Sequence, residues 1–186
     1  MSDTKNKILI IDIETTGFLK EGGSIVEIGA VELDLDTWEI NEVFNSLCRE
    51  TILNAKHRNA WIFQNSDLTV EMIREAPEFQ GVAIKFQELI NSYPLGCTSY
   101  NRIFDVTFLH DRGFGFPKLL PCPMLLSTDL CEIPSPYGGN KWPKVEEAYS
   151  YFFPDTPYVE KHRAAHDAFH EAMIVAKLIQ LGIFKI

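Results

Sequence analysis

Two carboxylates stand at the end of an apolar run near the beginning of the chain. Residues 8–18 are ILIIDIETTGF, so one isoleucine separates Asp12 from Glu14. Because strand side chains alternate, both carboxylates share a face with Ile8 and Ile10. Adjacent carboxylates repel each other unless a cation lies between them, and Mg²⁺ or Mn²⁺ prefers such oxygen ligands. The alternative is a strand that frays into solvent at Asp12.

Two further acids stand where they can join this pair. Asp105 follows a short predicted strand and begins a helix in the sequence NRIFD, although an aspartate in a first helical turn also interacts favourably with the helix dipole. Asp167 lies at the N-terminal end of the last predicted helix, on one stripe with Glu171 and Ile174. Since that helix is apolar on most sides, Asp167 faces the interior, where an unpaired charge is costly.

Three histidines near the last acid offer a different metal chemistry. His162, His166 and His170 are four residues apart, which on one helix would form a zinc-binding stripe. A zinc site of this kind leaves the acids of DIETTG and NRIFD without a role. We therefore favour an oxygen-rich cation site.

Composition narrows the class of protein. With 186 residues, 46% of them hydrophobic, the chain suits one globular domain spanning residues 1–186. The net charge of −9 argues against binding nucleic acid through a broad basic surface, but it allows a local site where divalent metals meet phosphate. No apolar run is long enough for a membrane span, and the polar start MSDTKNK does not resemble a signal peptide, so we expect a cytoplasmic protein without a membrane partner. The four cysteines lack a C-x-x-C spacing and predict neither a disulfide framework nor a zinc site.

The hydrophobic patterns predict an α/β fold with a mixed sheet. Three strands in immediate succession predict an antiparallel start to the sheet, and two more strands alternate with helices that cover both faces. The predicted strands are 7–14, 25–33, 39–48, 95–101 and 125–132, and the predicted helices are 69–76, 77–93, 104–112, 144–153 and 164–181. The acidic pair stands at the carboxyl end of the first strand, where open α/β sheets place their sites.

At this point the sequence resembles a known family. DIETTG at 12–17, YNRIFDVTFL at 100–109 and HRAAHDA at 162–168 resemble the three exonuclease motifs of the DEDDh 3′→5′ exonucleases, the superfamily of ribonuclease T and the polymerase proofreading subunits. IVEIGAVELD at 25–34 and DLTVEMIREAPEF at 67–79 are similar to intervening segments, so the resemblance covers nearly the whole chain. It implies a ribonuclease H-like fold: a mixed five-stranded sheet, with its first three strands antiparallel, flanked by helices.

The resemblance also implies roles for individual residues. His162, five positions before the last acid, matches the general base, whereas the sister class has a tyrosine where this chain has Arg163. The residues that match the ligands of two Mg²⁺ (or Mn²⁺) ions are Asp12, Glu14, Asp105 and Asp167.

Four residues are implied to bind the substrate: Thr16, Gly17, Phe18 and Asn101. Gly17 would let backbone approach the terminal 3′-hydroxyl, and Phe18 or its neighbour Leu19 would stack on the last base, unless Phe18 merely packs against the protein. The chain departs from the family at 58–69, RNAWIFQNSDLT, where a His-Gly-Ile-Thr-like turn is common. The resemblance therefore assigns no role to Trp61 or Phe63.

The loop at 133–144, IPSPYGGNKWPK, carries rings and positive charges in Tyr137, Lys141, Trp142 and Lys144. These residue types could grip a single strand. The alternative is an ordinary proline-rich loop that tucks its tryptophan into the core.

These observations predict a metal-dependent 3′→5′ exonuclease that releases nucleoside 5′-monophosphates from single-stranded 3′ ends, with DNA weakly favoured. The same reaction on RNA or short oligoribonucleotides is one alternative, because the motifs do not report how the 2′-hydroxyl is sensed. A non-catalytic nucleic-acid or polymerase-associated binding module is the other. A homodimer or a polymerase-type partner is compatible with either.

Overall fold

A computed structural model describes residues 4–186 of the protein, and it is built on a mixed sheet in the order β3-β2-β1-β4. The strands β1, β2 and β3 form the predicted antiparallel succession, and β4 pairs parallel with β1. Their bounds are β1 Lys7–Thr15, β2 Ile25–Asp34, β3 Ile40–Leu47 and β4 Cys97–Thr98.

Eight helices accompany the sheet in the described part of the chain. Their bounds are α1 Ala55–Arg58, α2 Ile62–Asn65, α3 Val70–Glu75, α4 Phe79–Asn91, α5 Arg102–Asp111, α6 Pro123–Cys131, α7 Val145–Phe152 and α8 Ala164–Gln180. Over residues 4–186, none of them has both the length and the hydropathy needed to cross a membrane. All four cysteines are free thiols.

The alternation of β1 divides the core into two layers. Ile8 and Ile10 point into a cluster with residues of α6, α7 and α8, whereas Leu9 and Ile11 point into a cluster with residues of α4 and α5. Because both faces of β1 are covered, its side chains form the continuous apolar run seen in the sequence. Asp12 and Glu14 follow at the carboxyl end of the strand, while Ile13 between them still belongs to the cluster of Leu9 and Ile11.

Within residues 4–186 the sheet has four strands, so the prediction of five is wrong. The segment 125–132, predicted as the fifth strand, lies in α6. Pro123 begins this helix, where its missing N–H costs nothing. Met124 and Ser127, three residues apart, are both buried, and a spacing of three is helical.

The edge of β4 is instead covered by the loop before α6. Leu119 forms a single parallel bridge with Cys97. The Cys97 N–H donates to the Lys118 carbonyl, and the Cys97 carbonyl accepts from the Leu120 N–H. Pro117 and Pro121 flank the bridge, and because proline has no backbone N–H to donate, the pairing cannot extend into a ladder.

Helix α8 approaches the sheet most closely at a glycine. Gly29 of β2 lies opposite Asp12 in the β1–β2 pairing, and a Cβ atom at position 29 would overlap the backbone of Ala164 and Ala165. The absence of a side chain therefore lets the N-terminus of α8 rest on the sheet beside Asp12. This contact brings Asp167, in the first turn of α8, to the end of β1.

We expect Gly29→Ala to destabilise the fold, because the added methyl group must displace α8 from β2. The expected loss is about 1–3 kcal/mol in the free energy of unfolding, measured by urea denaturation. Gly81→Ala is the matched control, since position 81 lies within α4 and faces open space. There alanine should stabilise by about 0.5–1 kcal/mol. Equal stability of Gly29→Ala and wild type would contradict the close approach.

Candidate active site

The acidic pair of β1 lies where the strand emerges from the core. Asp12 and Glu14 are both half-buried. Burial raises the pKa of Asp12 well above its ordinary value, and the nearby charges of Glu171 and Glu14 raise it further. The pKa of Glu14 is raised by burial and then by the charge of Asp167. Because the charges of neighbouring acids raise the pKa of both groups, these acids form one electrostatic cluster.

Asp105 joins the cluster from the other side of β1. It lies in the first turn of α5 and is 3% exposed. Burial raises its pKa to about 7. Interaction with the helix dipole does not explain why Asp105 is buried, since a surface aspartate would gain the same interaction without the cost of burial.

Asp167 has its carboxylate oriented by four hydrogen bonds. Its Oδ1 accepts from the Tyr158 hydroxyl at 2.7 Å, from the backbone N–H of Lys161 at 3.2 Å and from Nδ1 of His166 at 2.9 Å. Among residues 4–186, its Oδ2 accepts one hydrogen bond, from the backbone N–H of Arg163 at 2.9 Å. Oδ1 is thus saturated, and Oδ2 keeps a lone pair for a further ligand.

Glu171 is a further acid of the cluster, which the sequence placed only on a helix stripe. It is 3% exposed, and one of its oxygens accepts the backbone N–H of Tyr100 at 3.3 Å. Burial raises its pKa well above the ordinary value, and Asp105 adds to this. Its spacing of four from Asp167 was the sequence signal that could have added Glu171 to the cluster. An acid at this end of an otherwise apolar stripe is, however, also typical of a helix end that lies in solvent.

A buried ion pair fixes the N-terminus of α8. Glu27 of β2 is 1% exposed, and its carboxylate accepts hydrogen bonds from the Arg163 guanidinium at 2.8–3.1 Å and from the backbone N–H of Ala164 at 3.1 Å. Arg163 also pairs with Asp67 at 3.0 Å. Because Glu27 lies opposite Glu14 in the β1–β2 pairing, this contact holds the first turn of α8 beside the acids.

His162 lies immediately before this anchored segment. One of its ring nitrogens and one carboxylate oxygen each of Glu14 and Asp167 all lie within 4.8 Å of one another. Its φ of +54° places the residue in the left-handed region, before the helix begins at Ala164. His162 is therefore outside α8, so His162, His166 and His170 do not form the single-helix stripe of the zinc alternative. Nδ1 of His166 is instead hydrogen-bonded to Asp167, and Nδ1 of His170 is hydrogen-bonded to the carbonyl of His166.

A cleft of about 290 Å³ opens beside Glu14. Its lining includes three of the predicted substrate residues, namely Thr16, Gly17 and Phe18, together with Trp61 and Phe104. Phe18 is 58% exposed and meets the Phe104 ring edge to face, so it both packs against the protein and presents an open surface. The sequence assigned no role to Trp61, because RNAWIF departs from the turn expected there.

Hydrogen bonds between Thr16 and Ser24 fix part of the backbone that lines the cleft. The Thr16 N–H donates to the Ser24 carbonyl, and the Thr16 hydroxyl accepts from the Ser24 N–H. The hydroxyl proton of Thr16 remains available to a ligand. Gly17 has a φ of +143°, which favours glycine, and a side chain there would project into open space.

Two other predicted contact regions lie apart from the cleft lining. Asn101 is exposed immediately before α5, and its side chain does not cap that helix. In the loop at 133–144, Trp142 is 61% exposed, so the alternative in which it packs into the core is wrong. Lys141 in the same loop is paired with Glu147 at 2.6 Å.

Comparison with known families decides what kind of protein carries this site. Residues 9–178 match the RNase T family model, described as exonuclease. The chain belongs to the RNase T exonuclease family. The family and its DEDDh class, predicted from the three motifs, are thereby confirmed, and the protein is a nuclease domain whose class uses divalent metals.

Relatives and solved structures agree with the assignment. DNA polymerase III PolC-type from Clostridium perfringens is 29% identical over 120 residues, which are 64% of this chain and 8% of that protein. The same polymerase from Caldanaerobacter subterraneus subsp. tengcongensis is 25% identical over 177 residues, 95% of this chain and 12% of that protein. The chain therefore spans about a tenth of the length of these relatives.

The fold is shared with structures of low identity. The nuclease domain of 3′hExo, a DEDDh family member bound to rAMP, has a TM-score of 0.70 at 18% identity, covering 100% of this chain and 99% of that one. Escherichia coli exonuclease I in complex with a dT13 oligonucleotide has a TM-score of 0.68 at 13% identity, covering 94% of this chain and 41% of that one.

The raised pKa values predict how stability depends on pH and metal. Asp105, Asp12 and Glu171 all have a folded-state pKa above the ordinary value, so their stabilising contribution is present at low pH and is lost as pH rises through the folded pKa. In EDTA, the melting temperature should therefore fall between pH 5 and pH 8. The expected fall is at least about 4 °C, given roughly 2–4 °C per kcal/mol for a domain of this size.

Mg²⁺ or Mn²⁺ in millimolar excess should cancel this fall, because a bound cation favours the ionised carboxylates. Asp105→Asn is the matched variant, since it removes one titrating group and should flatten the pH dependence in EDTA. Differential scanning calorimetry across the pH range measures both effects. A melting temperature insensitive to pH and to both metals would contradict the electrostatic description of the cluster.

Proposed function

We propose that the protein is a metal-dependent 3′→5′ exonuclease that releases nucleoside 5′-monophosphates from single-stranded 3′ ends, with DNA as the favoured substrate. The observation that carries the proposal is the group formed by Glu14, His162 and Asp167, whose ligand atoms lie within 4.8 Å of one another. Asp12 and Asp105 lie near enough to this group for the charges of Glu14, Asp105 and Asp167 to raise the pKa of Asp12. These residues come from β1, α5, α8 and the segment before α8, so the fold must assemble them. This is the arrangement that hydrolysis of a phosphodiester by two metal ions requires.

The donor set fits divalent ions that prefer oxygen. The site offers four carboxylates. Burial raises the pKa of Asp12, Glu14 and Asp105, which means that the protein alone does not stabilise their negative charges well. Asp167 has the free lone pair on Oδ2. Two Mg²⁺ or Mn²⁺ ions held by these four acids would polarise the scissile phosphate and neutralise its developing charge.

His162 is the proposed general base. Its ring lies beside Glu14 and Asp167, at the edge of the acid cluster and outside α8. An imidazole nitrogen there accepts the proton of the attacking water, and the neighbouring carboxylates stabilise the resulting imidazolium. The reaction needs no other proton acceptor among the site residues named above.

The cleft supports removal of one terminal nucleotide at a time. Its volume of about 290 Å³ suits a single nucleotide, and it is bounded by the half-exposed rings of Phe18 and Trp61. Phe18 stacks on the terminal base, and Gly17 lets backbone approach the 3′-hydroxyl. A nucleotide that enters such a cleft alone must leave any duplex, which favours single-stranded ends.

The preference for DNA and the polymerase-type partner rest on the relatives. Both PolC-type proteins described above are DNA polymerases in which this domain spans about a tenth of the chain. We infer that this domain acts on DNA beside a polymerase or as a segment of a larger protein. The rAMP bound to the 3′hExo nuclease domain makes RNA the alternative substrate to test.

The proposal is tested with oligonucleotides labelled at either the 3′ or the 5′ end. Single-stranded DNA and RNA of matched sequence are incubated with Mg²⁺, Mn²⁺ or EDTA. The expected result is a ladder of 5′-labelled products that shortens from the 3′ end, present with either metal and lost in EDTA. DNA should be degraded faster than RNA.

Asp12→Ala and His162→Ala should each reduce the rate by at least about 100-fold, the scale of losing a metal ligand or a general base. His110→Ala is the matched control for histidine loss, because His110 is exposed at the end of α5 and should leave the rate unchanged. Cleavage from the 5′ end, or no cleavage of either nucleic acid by folded protein, would contradict the proposal.

A further inference from the structure

The Trp61 indole is packed directly against the His162 imidazole. The two ring centroids are 4.6 Å apart and the ring planes are at 78°, an edge-to-face arrangement. Trp61 precedes α2 and is 57% exposed. This exposure leaves much of the apolar surface of the indole in contact with water. Its only aromatic partner among residues 4–186 is His162. The contact thus links two segments about a hundred residues apart in sequence.

The backbone of His162 is fixed on both sides. The N–H groups of Lys161 and Arg163 both donate to Asp167, and the Arg163 side chain is held by Glu27. The His162 ring, by contrast, has no hydrogen bond to any protein group in the described part of the chain. A general base is ordinarily oriented by a third group, and here the group in contact with the ring is the indole.

Trp61 is itself held firmly enough to orient another ring. Its neighbours Ala60 and Ile62 are 7% and 2% exposed and belong to the apolar cluster beneath α3. Its carbonyl accepts hydrogen bonds from the Gln64 N–H at 3.0 Å and from the Asn65 side chain at 2.9 Å. The backbone of Trp61 is thus anchored on both sides, and its side chain lines the cleft.

The same indole lines the nucleotide cleft. Phe18 and Phe104 stand with Trp61 in the cleft wall, and Glu14 lies at its acidic end. An occupant of the cleft therefore contacts the ring that also contacts His162. One side chain connects the terminal nucleobase to the proton acceptor.

We infer that Trp61 is a positioning residue, which holds the His162 imidazole at the acid cluster and so sets the rate of cleavage rather than the strength of substrate binding. This inference rests on the proposed exonuclease function. It concerns a residue for which the family motifs carry no counterpart.

The first test separates cleavage from binding. Trp61→Ala should slow single-turnover cleavage of a saturating single-stranded substrate by about 10-fold to 100-fold, the scale of a misplaced catalytic group. Trp61→Phe, which keeps an edge-to-face ring, should retain the rate within about 3-fold. Affinity for the oligonucleotide in Ca²⁺, measured by fluorescence anisotropy, should change by less than about 3-fold in either variant, well below the change in rate. Trp38→Ala is the control for loss of a tryptophan, because Trp38 is 38% exposed between β2 and β3 and does not line the cleft, so it should leave the cleavage rate unchanged.

A double-mutant cycle then asks whether Trp61 acts through His162. If it does, Trp61→Ala should have no further effect on the cleavage rate in the His162→Ala background. Equal losses in both backgrounds would overturn the inference and make Trp61 a substrate contact. An unchanged rate in Trp61→Ala alone would overturn it as well.

The contact itself has a readout that does not depend on activity. In the wild-type protein the ring current of the indole should displace the His162 ring proton resonances, assigned by their loss in His162→Ala, and Trp61→Ala should remove this displacement. If the displacement is absent, the inference fails even when the protein is an active exonuclease. A protein with the displacement but with no cleavage of DNA or RNA refutes the proposed function and leaves only the ring contact.

Discussion

Mutual repulsion among buried carboxylates is the constraint on which the rest of this structure depends. Burial raises the pKa of Asp12, Glu14, Asp105 and Glu171, and the charges of neighbouring acids, among them Asp167, raise the pKa of Asp12, Glu14 and Glu171 further. Bringing such groups together is unfavourable, so the fold must hold them with interactions elsewhere. A polyanionic substrate is likewise repelled by a chain of net charge −9. A divalent cation resolves both, because it favours the ionised acids and attracts phosphate.

The interactions that hold the acids together lie one layer away from them. The buried pair between Glu27 and Arg163 fixes the start of α8, and Gly29 allows that start to rest on β2. Removing one partner of such a pair would leave a buried charge without compensation, which is strongly destabilising. The position that distinguishes this chain from the tyrosine class, Arg163, thus has a structural function of its own. It anchors the segment that carries His162.

The sequence suggested that Asp12, Glu14, Asp105 and Asp167 lie near one another, whereas their roles as metal ligands stay a prediction. β1 passes from aliphatic residues to Asp12 and Glu14 without a turn, and the three motifs occur in the order that one fold requires. The fifth strand was predicted wrongly, because LLSTDLCE has the apolar content of a buried strand while its burial follows helical spacing from Pro123 onward. Trp61 carried no signal, since its partner is a hundred residues distant and only the tertiary fold places the two rings in contact.

The most direct test of the central claim, that these acids form a two-cation site, is a calorimetric titration of the purified protein with Mn²⁺ at pH 7.5. Two ions should bind per chain, with binding lost or greatly weakened in Asp12→Asn and in Asp167→Asn. The isosteric change Asp155→Asn, at an exposed position outside the cluster, should leave the titration unchanged. Absence of Mn²⁺ binding by the folded wild-type protein, or binding that persists unchanged in the two cluster variants, would contradict the central claim.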